Sequence, residues 1–385
     1  MKEKIIYFDN AATTVTDEEA AEYACRMMRE VYANPSSAHS FGFEAEKHLK
    51  EARENVLHAL GYTSRDGDVV FTSCGTESDN MALFGAAKAK RRRGNRIVIS
   101  DSEHPAVENA AKELETQGFE LIRIPTRGGK IDLDFAASQI NEKTVLVSCM
   151  TVNNETGAQY DLQSLSEITR RNAPNAYFHT DAVQGFTKVR NISAFDADLI
   201  SVSGHKIHAP KGVGALFIKK GVRVPSLLYG GGQEGGLRSG TEAMPSICAF
   251  GLAARRASDE QSEREAHFAV LNSYLREKIA RETDGVIINS GTEGFAKHIV
   301  SIALPGIRSE IMLRYLSERG IYVSAGSACS SKKADNRVLS NFGLSEKEAD
   351  STLRISFSKY NTTCEIDALT ENIKQGMTTL QRVGK

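Results

Sequence analysis

The chain has 385 residues, 41% of them apolar and 25% charged, the balance of a folded globular protein rather than a disordered one. Lys and Arg number 48 against 49 Asp and Glu, and the formal net charge of -1 offers no field for nucleic acid or an anionic membrane. No signal peptide or membrane-length apolar run is read, and the six cysteines (25, 74, 149, 248, 329 and 364) form no CxxC pair, so a soluble chain of the reducing cytoplasm is expected.

At roughly 100–200 residues per domain, the length predicts two domains. Short β-branched runs predict strands at 69–72, 96–100, 121–124, 144–149, 176–179, 199–203 and 214–218. Helical stretches lie between several of them, at 76–93, 105–117 and 162–171, the last capped by Asp161. This alternation predicts βα units around a largely parallel sheet buried on both faces. The basic run at 88–96, KAKRRRGNR, reads as the solvated end of a helix. Beyond about residue 220 the texture changes. A glycine-rich stretch at 230–240 precedes one long helical segment at 243–281, shorter runs at 286–289, 299–304, 310–319, 321–324 and 353–358, and a final helix at 365–380. A smaller α+β domain is expected there, with the border inside the long helix near residue 256.

Several predicted strands end in residues that can do chemistry, and ligands gather beyond the carboxyl ends of strands in such sheets. The run at 198–214, DLISVSGHKIHAPKGVG, places Lys206 after an apolar strand, where a lysine can form a Schiff base. In HTDAVQ, 179–184, Asp181 is either a helix cap or a carboxylate for the protonated nitrogen of a pyridoxal ring. In TSCGTES, 72–78, a strand, a turn and a helix start make a phosphate site. His104, in SEHP at 102–105, could stack on a ring or carry protons. The glycines at 230–236 do not make a dinucleotide fingerprint, and no P-loop exists. His205 and His208 with His179 and Asp181 form no known zinc signature, so no metal is expected. Cys329 lies among small, polar and basic neighbours, SAGSACSSKK at 324–333, a setting that favours a reactive thiolate.

Taken together and in order, YFDNAATT, NPSSAH, FTSCGTESDN, SEHPAV, VNNETG, HTDAVQ, SGHKIHAPKGVGAL, GGGQEGGLRSGTE, GSACSS and LRISFS resemble the NifS/IscS-type cysteine desulfurases of the class V, fold-type I pyridoxal-phosphate enzymes. The resemblance runs from about residue 5 to 380. It implies a large α/β domain, 17–256, with a mostly parallel seven-stranded sheet flanked by helices. A smaller α+β domain, 1–16 with 257–385, would carry the cysteine loop. It implies that Lys206 holds pyridoxal 5'-phosphate as a Schiff base, Asp181 pairs with the ring nitrogen, His104 stacks on the ring and Gln184 bonds its oxygen. Gly75, Thr76, Ser203 and His205 would hold the phosphate, and Thr241 the phosphate of the other subunit in a homodimer. Asn154 and Arg354 would bind the substrate carboxylate, with Asn154 also beside the cofactor. Cys329 would take sulfur from L-cysteine, leave alanine, and pass the persulfide to an acceptor protein such as an iron–sulfur scaffold or a thiolation enzyme. Selenocysteine lyase and other class V lyases or aminotransferases are the enzymatic alternatives. A binding scaffold without catalysis is the non-enzymatic one. Two departures stand out: Cys74 precedes Gly75 where relatives have a second small residue, and Gly235 replaces a basic one.

Overall fold

The structure is a computed structural model, and it describes residues 5–325 and 336–380. The chain begins with a short strand, β1 (Ile6–Tyr7), and two helices, α1 (Glu18–Arg29) and α2 (Ser40–Leu60). Asp17 caps α1 by accepting from Glu19 N–H, and acidic residues in its first turn and basic ones in its last suit the helix dipole. Next come β2 (Gly67–Thr72), α3 (Gly75–Lys90), β3 (Arg96–Ser100), α4 (Pro105–Thr116), β4 (Glu120–Ile124), α5 (Leu133–Gln139) and β5 (Thr144–Ser148). These are followed by α6 (Leu162–Asn172), β6 (Tyr177–Asp181), β7 (Leu199–Ser203) and β8 (Gly214–Lys219). The remainder holds α7 (Met244–Asp259), α8 (Gln261–Glu282), β9 (Ile287–Ile288), β10 (Ile299–Ala303), α9 (Ser309–Ser317), β11 (Ile321–Tyr322) and β12 (Ser324–Ala325). Beyond them lie α10 (Arg337–Phe342), α11 (Glu346–Asp350), β13 (Thr352–Ser356) and α12 (Thr363–Leu380).

Seven strands form one sheet in the order β2-β8-β7-β6-β5-β3-β4. Its pairs are parallel except those of β8, which runs against both β2 and β7. Hence the mostly parallel seven-stranded α/β sheet expected from the sequence is present. Along β3, Ile97 and Ile99 face an apolar layer shared with α3 and α4, while Val98 faces the layer shared with α1, α2, α6 and α7. Both faces are therefore buried, which is why the strands read as continuous apolar runs.

A second, antiparallel sheet, β12-β13-β10-β9, shares an apolar core with α8, α9 and α12. Phe8 lies in that core, and β1 pairs with β11, so residues 6–8 of the chain belong with its last third. The single helix expected over 243–281 is two helices meeting at Glu260. The physical reason is a change of partner. Phe250, Ala253 and Ala254 of α7 serve the first core, with Gly251 so close that an added Cβ would lie 2.5 Å from Ala52 Cα. Phe268, Leu271 and Leu275 of α8 serve the second. Among the described residues no helix is long and apolar enough to cross a membrane.

Candidate active site

Strands β2, β3, β5, β6 and β7 run in one direction, so their carboxyl ends share one edge of the sheet. That edge brings together the segments around Gly75, His104, Asp181 and Lys206. Cys74 is extended and α3 begins at Gly75 with no side-chain cap, leaving its first N–H groups to other acceptors. A Cβ on Gly75 would stand 2.9 Å from Val183 Cγ2 and 3.4 Å from Ser203 Cβ, so three strand ends meet where only glycine fits. Ser203 is buried there and its Oγ has no hydrogen-bond partner among the described residues. Thr76, in the first turn of α3, is exposed. Glu77 accepts from Ser73 N–H at 2.7 Å and from Arg238 Nε at 2.8 Å, which ties the glycine-rich loop to the start of α3.

Lys206 closes the turn after β7, and its Nζ donates to the carbonyls of Ala11 at 2.6 Å and Ala12 at 2.8 Å. Gln184 Nε2 donates to the same Ala11 carbonyl at 2.8 Å, while its buried Oε1 has no partner. His205 Nδ1 lies 3.1 Å from Thr13 Oγ1. Thr14 N–H and hydroxyl both donate to the His205 carbonyl, and His208 N–H donates to Thr14 Oγ1. Residues 11–14 thus form a strap over the lysine turn. Burial, then the Lys206 charge, push the imidazoles of His104 and His205 down to about 4, so both are neutral at neutral pH. His104 Nδ1 accepts from Ala106 N–H and caps α4, which leaves Nε2 to carry its proton.

Asp181 ends β6, is 5% exposed and accepts from Val183 N–H at 2.8 Å. Burial pushes its carboxyl up to about 6, against the Val183 bond and the Lys206 charge. Behind it, His179 is held between Ser148 Oγ at 2.8 Å and Ser201 Oγ at 3.0 Å, with Asp79 Oδ1 3.6 Å away. Burial pushes His179 down to about 3; burial and the negative charge of Asp181 push Asp79 well up.

Arg354 lies on β13, beside Ser301 of β10 and Ser324 of β12, and is buried. Its Nη1 donates to the Asn154 carbonyl at 2.9 Å and its Nη2 to Asp9 Oδ1 at 2.7 Å. Asn154 therefore meets Arg354 through its backbone. Thr241 is exposed, on a loop pinned to its own chain by Arg238 and by Glu234, which takes both Arg53 Nη atoms and Phe71 N–H. Cys329 lies outside the described residues, in 326–335. The segment bearing it is flanked by β12, beside Arg354, and by α10. Arg337 of α10 donates to the carbonyls of Asp101 and, at 2.8 Å, Glu103, just before His104.

Four participants were not picked out by reading the sequence: Asp9, Asp79, Glu103 and Arg337. Asp9 lies inside YFDNAATT and Glu103 inside SEHPAV, but only burial and long-range contacts give them a part. Asp79 likewise lies inside FTSCGTESDN, whereas for Arg337 the sequence carries no comparable signal.

A model of the family described as Aminotransferase class-V matches residues 6–369. The chain is 37% identical over 368 residues to the Archaeoglobus fulgidus protein named cysteine desulfurase IscS 1, covering 95% of each. Among solved structures it resembles one named NifS-like protein with a TM-score of 0.90 at 35% identity, covering 97% of this chain and 100% of that one. It also resembles one described as SspA in complex with cysteine, with a TM-score of 0.79 at 31% identity, covering 93% and 100%. On likeness of this extent, joined to the geometry of the sheet edge, the chain belongs to the class V aminotransferase family, in its branch of NifS/IscS-type cysteine desulfurases.

Proposed function

We propose that this protein is a pyridoxal-phosphate-dependent cysteine desulfurase, which removes sulfur from L-cysteine, leaves L-alanine and carries the sulfur on Cys329 to an acceptor protein. The observation that supports it most is the convergence at one sheet edge of an amine, a buried carboxylate, a neutral imidazole and an uncapped helix start, with a buried guanidinium nearby.

The residues fit the cofactor of the family. Ser203 Oγ and Gln184 Oε1 are buried polar atoms without partners among the described residues, and the uncapped start of α3 leaves backbone N–H groups for a phosphate. Gly75, Thr76, Ser203 and His205 would hold that phosphate, Thr241 would serve the other subunit of a homodimer, and Lys206 would hold the cofactor covalently through Nζ. When bound, pyridoxal phosphate supplies an electron sink for the carbanion at the substrate's Cα.

This chain's own groups do the rest. Arg354 and Asn154 orient the substrate by its carboxylate. Asp181 keeps a negative charge against the ring nitrogen. Lys206 Nζ takes the Cα proton and returns it, and neutral His104 can pass a proton at Nε2. The Cys329 thiolate attacks the substrate sulfur. A sulfur–sulfur bond forms as the carbon–sulfur bond breaks, its electron pair stays with Cβ, and protonation there gives the methyl group of alanine.

The same reading divides the chain into a cofactor-binding unit, 17–256, and a smaller unit, 1–16 with 257–385. Separate apolar cores around the two sheets and the helix break at Glu260 support the division.

The test is direct. The purified protein, loaded with pyridoxal phosphate and given L-cysteine and a thiol reductant, should release alanine and sulfide in equal amounts. Alanine without sulfide, or neither product, would refute the reading.

A further inference from the structure

The three nitrogens of Arg354 are unequally employed. Nη1 faces the Asn154 carbonyl and Nη2 faces Asp9, while Nε is buried without a hydrogen-bond partner among the described residues. A carboxylate grips a guanidinium best through two parallel bonds from one edge. With Nη1 committed to backbone, the edge left for a bidentate ligand is Nε with Nη2, and Asp9 already holds half of it.

The backbone around Asp9 is fixed. Asn10 Nδ2 donates to the Ser356 carbonyl at 2.9 Å, Ala11 N–H donates to Ser356 Oγ at 2.8 Å, and Ser356 N–H donates to the Phe8 carbonyl at 2.7 Å. The side chain of Asp9 is 22% exposed, against 7% for that of Arg354, so the carboxylate alone has solvent to turn into.

We infer that Asp9 is a resident carboxylate that occupies Arg354 until the substrate's carboxylate replaces it, which makes Asp9 a positioning residue that sets, by competition, how tightly the site holds a carboxylate ligand. The inference rests on Arg354 being the substrate-carboxylate anchor. A buried cation without a counter-charge is costly, and Asp9 removes that cost while no substrate is bound. An incoming carboxylate must outcompete it. A ligand with no carboxylate leaves the pair intact and gains nothing from Arg354.

The test uses the cofactor-loaded protein and two thiol probes. 3-Mercaptopropionate has the carboxylate but no amine; cysteamine has the amine but no carboxylate. Asp9→Asn keeps the shape and the accepting oxygen and removes the charge. Charge-assisted hydrogen bonds are about twice as strong as neutral ones, so calorimetry should show 3-mercaptopropionate binding about fivefold tighter, with a matching fall in KM for L-cysteine. Cysteamine affinity should stay within about twofold, and Asp9→Glu should keep the wild-type pattern. Unchanged or weaker carboxylate binding, or an equal change for both probes, would overturn the inference. So would failure of both Asp9→Asn and Asp9→Ser to fold, since Asp9 would then be structural. Loss of the desulfurase reading would show separately, as wild-type protein that makes no alanine while the probe comparison still reads Asp9. Equal 3-mercaptopropionate affinity in wild type and Arg354→Gln would remove the anchor itself.

Discussion

Replacing Glu103 by Gln should stabilise the cofactor-free protein at alkaline pH and leave it almost unchanged near pH 4. Glu103 is fully buried in the turn before His104. Its Oε1 accepts from Ser100 Oγ and, at 2.9 Å, from Met150 N–H; its Oε2 has no partner among the described residues. Burial pushes its carboxyl from the ordinary 4.5 up to about 8, despite the Ser100 bond, with the charge of Asp181 adding to the rise. In the window between those two values the folded chain keeps a proton that the unfolded chain has lost. Stability therefore falls as pH rises from 4.5 through 8. At about 1.4 kcal/mol per pH unit the whole rise is worth at most about 5 kcal/mol. Gln keeps the accepting oxygen and cannot ionise, so the advantage of the variant should grow across that window and level off above it. Calorimetric melting of both proteins at pH 5, 6.5, 8 and 9 reads the difference. A gap independent of pH, or one that widens toward acid, would refute the reasoning.

Lys206→Ala should cut turnover by at least about a thousandfold, because covalent attachment and the main proton carrier disappear together; borohydride reduction and peptide mapping should find the pyridoxyl label of the wild type on residue 206 and on no other lysine. Cys329→Ser should still exchange the Cα proton of L-cysteine for deuterium while alanine and sulfide fall to background, since serine is too hard and too weakly acidic to attack sulfur. Full turnover in that variant, or a persulfide on Cys74 by mass spectrometry, contradicts it. Thr241 is expected to serve a second subunit, so light scattering should read a dimer, and a fully active monomer would remove the shared site.

Much of the large sheet can be read from one residue string, because a strand buried on both faces is a continuous apolar run. The strands expected at 96–100 and 199–203 match β3 and β7, and Lys206 follows from the second. Strand direction is different: nothing in GALFIK tells that β8 runs against its neighbours, since reversing a strand does not alter its apolarity. Helices α1, α2 and α5 were not anticipated. In α2 the buried positions Ala45, Leu49, Ala52, Val56 and Leu60 recur at helical spacing, so its pattern is present in the sequence. Glu103 is hidden for a plainer reason, because a glutamate in a sequence is expected in water. The Asp9–Arg354 pair spans 345 positions and depends on how residues 8–11 are laid against the end of β13. No local pattern carries that information.

The strap has a consequence for the order in which a growing chain becomes competent. Ala11, Gly75, Asp181, Ser203 and Lys206, with all strands of the large sheet, precede residue 220. Arg354, Ser356, Lys359 and Asn361, which hold Asp9, Asn10, Ala11 and Asp17, leave the ribosome well after them. Asp9, Asn10, Ala11 and Asp17 must therefore wait for partners 342 to 351 positions further on, contacts that close late because of their separation. On the roles proposed above, a nascent chain would complete the walls of its cofactor cradle well before it owned the guanidinium that would orient a substrate. On those roles, binding without turnover would be open to the partly made chain, and reactive sulfur chemistry would wait for Arg354.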